Sequence, residues 1–137
     1  MRYLPELLPF RFVNQSLALQ AGGIAALEQA PDWPERLKPI YRERRDRMMA
    51  ALTAAGWPVQ RPSMALYLWL SLPEQARQRG WDSEQFCAQL LDATGVCLTP
   101  GNGFGEGGEG FARLALVHDM AALEAGAARM GAWLNSL

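Results

Sequence analysis

The chain has 137 residues, of which half are hydrophobic and a fifth are charged, and its formal net charge is -1. This length allows one domain with a substantial core, and the composition is typical of a soluble globular protein. The nearly neutral charge gives no electrostatic basis for binding nucleic acid or an anionic membrane. No apolar run is long enough to predict a transmembrane helix, and residues 1–5 contain no signal-peptide hydrophobic region.

The cysteines and the histidine predict neither a disulfide framework nor a metal site. Cys87 and Cys97 do not have the spacing of metal ligands, and His118 is the single histidine. A zinc site normally needs four ligands of these types. We therefore expect no bound metal, a reducing cytoplasmic environment and two buried thiols.

The order of the predicted elements indicates an α+β fold. Apolar residues at helical spacing, capping residues and aromatic runs predict four helices and three strands. In chain order, the elements are a helix over 13–29, a helix from Pro39 to about Ala55, a strand over 65–70, a helix from Asp82 to Gly95, a strand over 96–99, a strand over 111–117 and a helix that Asp119 caps. Together they predict a small, antiparallel-rich sheet of about three or four strands with helices packed on it.

The second predicted helix carries a charged outer face. This face consists of Arg42, Glu43, Arg45, Asp46 and Arg47. Charges four residues apart on a helix can pair, as Arg42–Asp46 or as Glu43–Arg47. Because acidic residues interleave with the arginines, the pattern indicates a solvated helix face and not a nucleic-acid surface.

A glycine-rich segment between the last two predicted strands contains a formal G-x-G-x-x-G match at Gly103, Gly105 and Gly108. In a dinucleotide-binding fold this motif opens a helix whose N-terminus meets the pyrophosphate. Here the segment precedes a strand, and Glu106 and Glu109 would repel phosphates. No lysine follows the glycines, so a P-loop is not indicated either.

Arg113 lies in an otherwise apolar strand, in which alternate residues point to opposite faces. Burying an unpaired charge is costly, so this arginine needs a partner. A structural salt bridge or an exposed edge position would supply one. A ligand carboxylate, gripped through two parallel hydrogen bonds, is the functional alternative. The residues alone leave these possibilities open.

Several segments together resemble the small, C-terminal domain of class I and II aminotransferases, which are fold type I pyridoxal-phosphate enzymes. The combination covers nearly the whole chain from about residue 13 and is more specific than any one piece. The resembling segments are residues 41–48, Leu52, Gly56, Pro62, residues 65–73, residues 86–91, Gly95, Val96, residues 100–105 and residues 110–114.

The resemblance implies roles for individual residues. In the family, the arginine that matches Arg113 binds the α-carboxylate of the amino-acid substrate. In some dimeric relatives an arginine near Arg11 holds a side-chain carboxylate in the neighbouring subunit's active site; otherwise Arg11 is a surface residue. The family's cofactor, pyridoxal 5'-phosphate, is held by a lysine in a segment that Lys38, the single lysine here, does not resemble.

The resemblance also implies an organisation for the whole protein. We expect residues 1–33 to be a remnant of the large domain and interdomain segment, and residues 34–137 to be the small domain. The partners would be an amino acid, a 2-oxo acid, the large cofactor domain of the parent chain and a second copy of the parent. Met1 is then a fragment boundary, an engineered start or a truncated reading frame.

Two other interpretations stay open at the level of sequence. A related fold type I lyase or synthase would share this domain and its arginine but catalyse a different reaction. A non-catalytic interaction fragment would keep the fold alone. In every case we expect the chain by itself to lack transaminase activity, because the cofactor lysine is missing.

Overall fold

The computed structural model describes residues 16–63 and 66–137. These residues fall into two compact units, one that ends at Lys38 and one that runs from Pro39 to Leu137. None of the helices described is both long enough and apolar enough to cross a membrane. The predicted domain boundary after residue 33 stays a prediction.

Two helices begin in the first unit: α1, Leu17–Gln29, and α2, Trp33–Ala54, which continues into the second unit. The helix predicted over 13–29 is confirmed over its described part, but none of the residues in α1 is buried. The predicted start of α2 at Pro39 is wrong, because Pro39 lies inside the helix. Pro34 instead occupies the first turn, where a missing N–H is harmless.

The second unit contains all three strands of the sheet. Its elements are β1, Tyr67–Ser71; α3, Glu74–Gln78; α4, Ser83–Thr94; β2, Thr99–Pro100; β3, Phe111–Ala115; and α5, Met120–Leu134. The strand order is β1-β3-β2, and both neighbouring pairs are antiparallel. The α+β prediction is therefore confirmed. α3 was not predicted, since it is a single short turn with no apolar period of its own.

The sheet has one buried face and one open face. Leu68 and Leu70 in β1, and Ala112 and Leu114 in β3, are buried in the hydrophobic core. A fully buried leucine side chain stabilises a fold by about 1.5–3 kcal/mol relative to an exposed one. The alternation predicted for β3 is confirmed, so Arg113 lies on the face opposite the core.

Capping residues set the bounds of the two later helices. The side chain of Asp82 accepts a hydrogen bond from the backbone N–H of Gln85, and the side chain of Gln85 accepts one from the N–H of Asp82, which forms a capping box at α4. Gly95 ends α4 with φ 68°, in the left-handed region. Asp119 caps α5 through the N–H of Ala122. These predictions are confirmed.

β2 is shorter than the strand predicted over 96–99. It comprises only Thr99 and Pro100, which pair with Arg113 and Ala112. Proline cannot donate to a strand ladder, which limits the pairing at this edge.

The prediction that both cysteine thiols are buried is confirmed for one and wrong for the other, because Cys87 is buried and Cys97 is exposed.

Arg45 departs from the predicted solvated face of α2, because it is buried. Its Nε donates to Asp46 Oδ1 at 2.8 Å, and its Nη1 donates to the backbone oxygen of Pro62 at 3.3 Å. Arg61 also pairs with Asp46, at 3.1 Å. Of the two predicted i,i+4 pairs, Glu43–Arg47 forms, with Nη1 and Oε1 3.2 Å apart, whereas Asp46 pairs with Arg45 and Arg61.

Candidate functional site

The glycine-rich segment folds as two 3-10 turns, Gly101–Phe104 and Glu106–Gly108, before it enters β3. The backbones of Gly101 and Gly108 approach so closely that a Cβ on either one would clash with the carbonyl oxygen of the other. Only glycine permits such an approach. The glycines therefore shape this segment by close backbone packing, and the segment leads into a strand, as predicted.

Glu109 ties the segment to the start of α4. Its carboxylate accepts hydrogen bonds from the backbone N–H and the Oγ of Ser83, at 2.8 and 2.9 Å, and from the N–H of Gly110 at 2.7 Å. The N–H of Gly110 is the main cause that lowers the pKa of Glu109, followed by the two donors of Ser83. Ser83 is fully buried, so this contact anchors the segment firmly.

Asn102 makes a second contact with α4, since its Nδ2 donates to Glu84 Oε1 at 2.9 Å. The segment between Asn102 and Glu109, which carries Phe104, is thus held at both ends. These contacts could not be predicted from local sequence, because they join residues that are 18 and 26 positions apart.

Arg113 occupies the middle of β3, the central strand. In the register of the sheet it lies opposite Trp69 in β1 and Thr99 in β2. Its Nη2 donates to Thr99 Oγ1 at 3.3 Å. The edge-strand alternative for Arg113 is therefore excluded by the topology.

Two aromatic rings contact the guanidinium of Arg113. Its Cζ atom is 4.4 Å from the ring centroid of Tyr67 and 4.7 Å from that of Phe104. Both distances lie within the range of cation–π attraction. Trp69 packs behind Phe104 in an edge-to-face arrangement, with centroids 5.5 Å apart, and stacks on Phe111 at 5.6 Å.

We call Tyr67, Trp69, Phe104 and Phe111 the aromatic cluster. Tyr67, Trp69 and Phe104 are each more than a third exposed, so the cluster forms an apolar surface around Arg113 on the open face of the sheet. The aromatic run was predicted as a strand, but the face on which its rings lie was not predicted. Period-two alternation in residues 67–70 was the signal that could have identified it.

The charge of Arg113 has no anionic partner in the part of the chain that the structure describes. No carboxylate there lies within ion-pair distance of the guanidinium. Its Nε is buried and makes no hydrogen bond to any described residue. A buried donor without a partner costs about 1–3 kcal/mol. Among the described residues the salt-bridge alternative is therefore not realised, and the guanidinium retains the capacity to bind an anion.

Arg11 and Lys38 are the other two residues on which the family resemblance bears. Arg11 lies outside the described residues. Lys38 is in the first unit, where its ammonium pairs with Glu35 and its side chain is half exposed. A lysine that forms a Schiff base is normally desolvated or placed beside another cation, so Lys38 does not fit the family's cofactor anchor. Over residues 16–63 and 66–137, no group of three or more metal-ligating side chains occurs.

A separate cavity of about 350 Å³ lies between α5, α2 and the segment that precedes β2. His118, Arg129 and Cys97 contribute to its lining, together with apolar residues such as Met48 and Leu123. Arg113 is not part of this lining. The cavity and the aromatic cluster are therefore two distinct features of the second unit.

The known proteins that are similar to this chain in sequence include aminotransferases. The sequence model described as "Aminotransferase class I and II" matches residues 8–130. The LL-diaminopimelate aminotransferase of Nitratidesulfovibrio vulgaris strain DP4 is 41% identical over 113 residues, which cover 82% of this chain and 28% of that protein. The Aquifex aeolicus enzyme of the same name is 40% identical over 72% of this chain and 24% of its own length.

Solved structures share the fold. Substrate-bound BacF from Bacillus subtilis has a TM-score of 0.81 and 31% identity, over 93% of this chain and 32% of that one. An aminotransferase from Staphylococcus aureus has a TM-score of 0.77 and 33% identity, over 86% of this chain and 30% of its own. The chain thus spans about 28% of the length of the first curated relatives that it matches.

Proposed function

Because this chain belongs to the class I and II aminotransferase family, we propose that it is the carboxylate-binding C-terminal domain of an aminotransferase. The parent enzyme would transfer an amino group between an amino acid and a 2-oxo acid. The single observation that supports this role is the guanidinium of Arg113, which lies on the open face of the sheet without an anionic partner among the described residues. Both kinds of substrate carry an α-carboxylate that such a group can bind.

Arg113 would hold the substrate by two parallel hydrogen bonds to its carboxylate, the geometry for which a guanidinium is suited. Binding the carboxylate in this way fixes the orientation of the adjacent α-carbon. It therefore also fixes the orientation of the bonds that are broken and formed at that carbon. The aromatic cluster would exclude water beside the charge, which strengthens the attraction between the guanidinium and the carboxylate. Arg11 is proposed to hold a second, side-chain carboxylate if the substrate has one.

Pyridoxal phosphate is the cofactor of the family and supplies an electron sink for bond breaking at the α-carbon. The described residues of this chain do not fit that group, since Lys38 is half exposed and paired with Glu35. We therefore assign the covalent chemistry to a large domain of the parent chain and propose that the parent acts as a cytoplasmic homodimer. The relatives that match this chain are named for different amino acids, and the substrates that we propose are an amino acid and a 2-oxo acid.

The first test asks whether Arg113 binds a carboxylate. Nuclear magnetic resonance would follow the Nε–H of Arg113 in the isotopically labelled chain during titration with propionate. Propionamide, which has the same shape without the charge, is the matched ligand control. We expect propionate to shift the Arg113 resonance and propionamide to leave it in place. Equal responses to both ligands would contradict the proposal.

The second test concerns the chain by itself. We expect no transaminase activity with pyridoxal phosphate, an amino acid and a 2-oxo acid, because no lysine in a suitable environment is present to anchor the cofactor. A cofactor absorbance band that survives dialysis, and that disappears in Lys38→Ala, would refute this expectation. Measured turnover by the purified chain would refute it as well.

One observation favours a second candidate function, a non-catalytic interaction fragment. The apolar residues of α1 are largely solvent-exposed, with Leu17 and Leu27 each 80% exposed. Exposed apolar surface of this kind often marks a site of association. If propionate fails to bind while the chain associates with another protein through α1, this second function would replace the first.

A further inference from the structure

The rings of Tyr67 and Phe104 differ from the partners that usually accompany a partly buried arginine. A carboxylate partner would neutralise the guanidinium and compete with any ligand carboxylate. An aromatic ring instead attracts the cation through its quadrupole and leaves the positive charge in place. Here the Cζ of Arg113 lies 4.4 Å from one ring centroid and 4.7 Å from the other.

We propose that Tyr67 and Phe104 are positioning residues that hold the guanidinium of Arg113 in one orientation while its charge stays available to a carboxylate. This inference rests on the proposed function. It goes beyond it by assigning the affinity of the site to the two rings as well as to the arginine.

The surrounding contacts show how the two rings are kept in place. Tyr67 belongs to β1, whose pairing with β3 sets its position along the sheet. Phe104 belongs to the 3-10 turn that Asn102 and Glu109 fasten to α4. Trp69 packs edge-to-face against Phe104 and limits the movement of that ring. The two rings therefore come from a rigid strand and from an anchored turn.

Pre-organisation of this kind improves binding because the arginine side chain loses less rotational freedom when the ligand arrives. The free protein already restricts the guanidinium through the two rings and the bond from Nη2 to Thr99 Oγ1. Removing a ring would both free the side chain and admit water to Nε. Affinity for a carboxylate should then fall even though Arg113 itself is unchanged.

The experiment measures propionate affinity in the chain with Tyr67→Leu and Phe104→Leu. Tyr67→Phe and Phe104→Tyr are the matched controls, since they keep the ring and change only a hydroxyl. Each leucine variant should weaken propionate binding between about 2-fold and 30-fold, the range expected for one cation–π contact. Each ring-retaining variant should stay within about twofold of the original chain.

The indole N–H of Trp57 reports on the integrity of the fold in the same spectra. It is buried in the core and donates to the backbone oxygen of Ser71 at 2.8 Å. Phe104 is half exposed, so Phe104→Leu should fold even if Tyr67→Leu does not. The second expected result is a faster exchange of the Arg113 Nε–H with solvent in the leucine variants, while the exchange of the Trp57 indole N–H stays unchanged. A loss of overall stability would instead speed the exchange of both groups.

The outcomes separate this inference from the proposed function. If Arg113→Gln abolishes propionate binding while both leucine variants bind as the original chain does, the positioning role is wrong and the proposed function stands. If Tyr67→Phe weakens binding as much as Tyr67→Leu, the ring is not the cause and the inference is wrong. If Arg113→Gln binds propionate normally, the proposed function itself fails.

Discussion

Two arginines on different elements of the second unit, one buried and one half-buried, show how its surroundings determine what a cation does. Arg45, on α2, is buried and paired with a carboxylate, because it donates to Asp46 and to the backbone oxygen of Pro62. Arg113, on β3, contacts two aromatic rings and one hydroxyl, and its Nε has no partner among the described residues. An arginine that is paired with a carboxylate of its own chain contributes to the stability of the fold. An arginine without an anionic partner can still bind an anionic ligand.

The pKa of Asp46, the carboxylate partner of Arg45, agrees with this distinction. The hydrogen bond from Arg45 is the main cause that lowers the pKa of Asp46, and the charges of Arg45 and Arg61 lower it further. Asp46 therefore remains ionised and keeps Arg45 paired. No carboxylate pairs with Arg113 in the described part of the chain.

The largest expected effect comes from exchanging each arginine for glutamine. Arg113→Gln should weaken carboxylate binding by about 2–5 kcal/mol, the cost of removing one partner of a desolvated charge pair. Arg45→Gln should leave that binding unchanged and lower the free energy of unfolding by about 1–3 kcal/mol, since it removes hydrogen bonds of a charged group. Propionate titration and urea unfolding measure the two quantities. If Arg45→Gln weakened propionate binding as much as Arg113→Gln does, the proposed difference between the two arginines would be wrong.

The comparison also shows what the sequence could and could not predict. The alternation in residues 111–117 predicted that Arg113 lies on the face opposite Ala112 and Leu114, because a strand has a period of two. The capping residues Asp82 and Asp119 likewise predicted the starts of α4 and α5 from local chemistry. Such predictions depend only on neighbouring residues, and the structure confirms them.

Features that depend on distant residues were not predicted. Arg45 donates to the backbone oxygen of Pro62, which lies beyond the end of α2, and Arg61 pairs with Asp46, the carboxylate partner of Arg45. The position of Phe104 depends on the approach of Gly101 to Gly108 and on the bonds of Glu109 to Ser83. The start of α2 was misplaced because Pro34 and Pro39 are both compatible with a first turn, and local sequence does not choose between them.

An intermediate effect is expected when Arg113 is given a carboxylate partner within the chain, as Arg45 has. Thr99 Oγ1 lies 3.3 Å from Nη2, so Thr99→Asp would place a carboxylate beside the guanidinium. We expect propionate affinity to fall about tenfold, which corresponds to about 1.4 kcal/mol, because the new side chain competes with the ligand. Thr99→Val, which removes the hydroxyl without adding charge, should have the smaller effect in the same titration. The reverse order would contradict competition by charge.

The smallest effect concerns Glu109, which anchors the turn that carries Phe104. Its pKa is lowered from the ordinary value of 4.5, mainly by the N–H of Gly110 and then by the donors of Ser83. A carboxyl whose pKa is lower in the folded state stabilises the fold above the unfolded pKa, and this contribution disappears as the pH falls through the folded pKa. At neutral pH, the free energy of unfolding measured with urea should therefore be higher for the original chain than for Glu109→Gln.

That excess should shrink as the pH falls below about 4.5. Glu106→Gln, at an exposed residue in the same segment, is the matched control and should track the original chain at every pH. Because Glu109 anchors the turn and not the strand, Glu109→Gln should also weaken propionate binding slightly, through Phe104, while Arg113 keeps its place in β3. A pH-independent difference in stability would show that Glu109 acts through packing alone and that its ionised form does not anchor the turn.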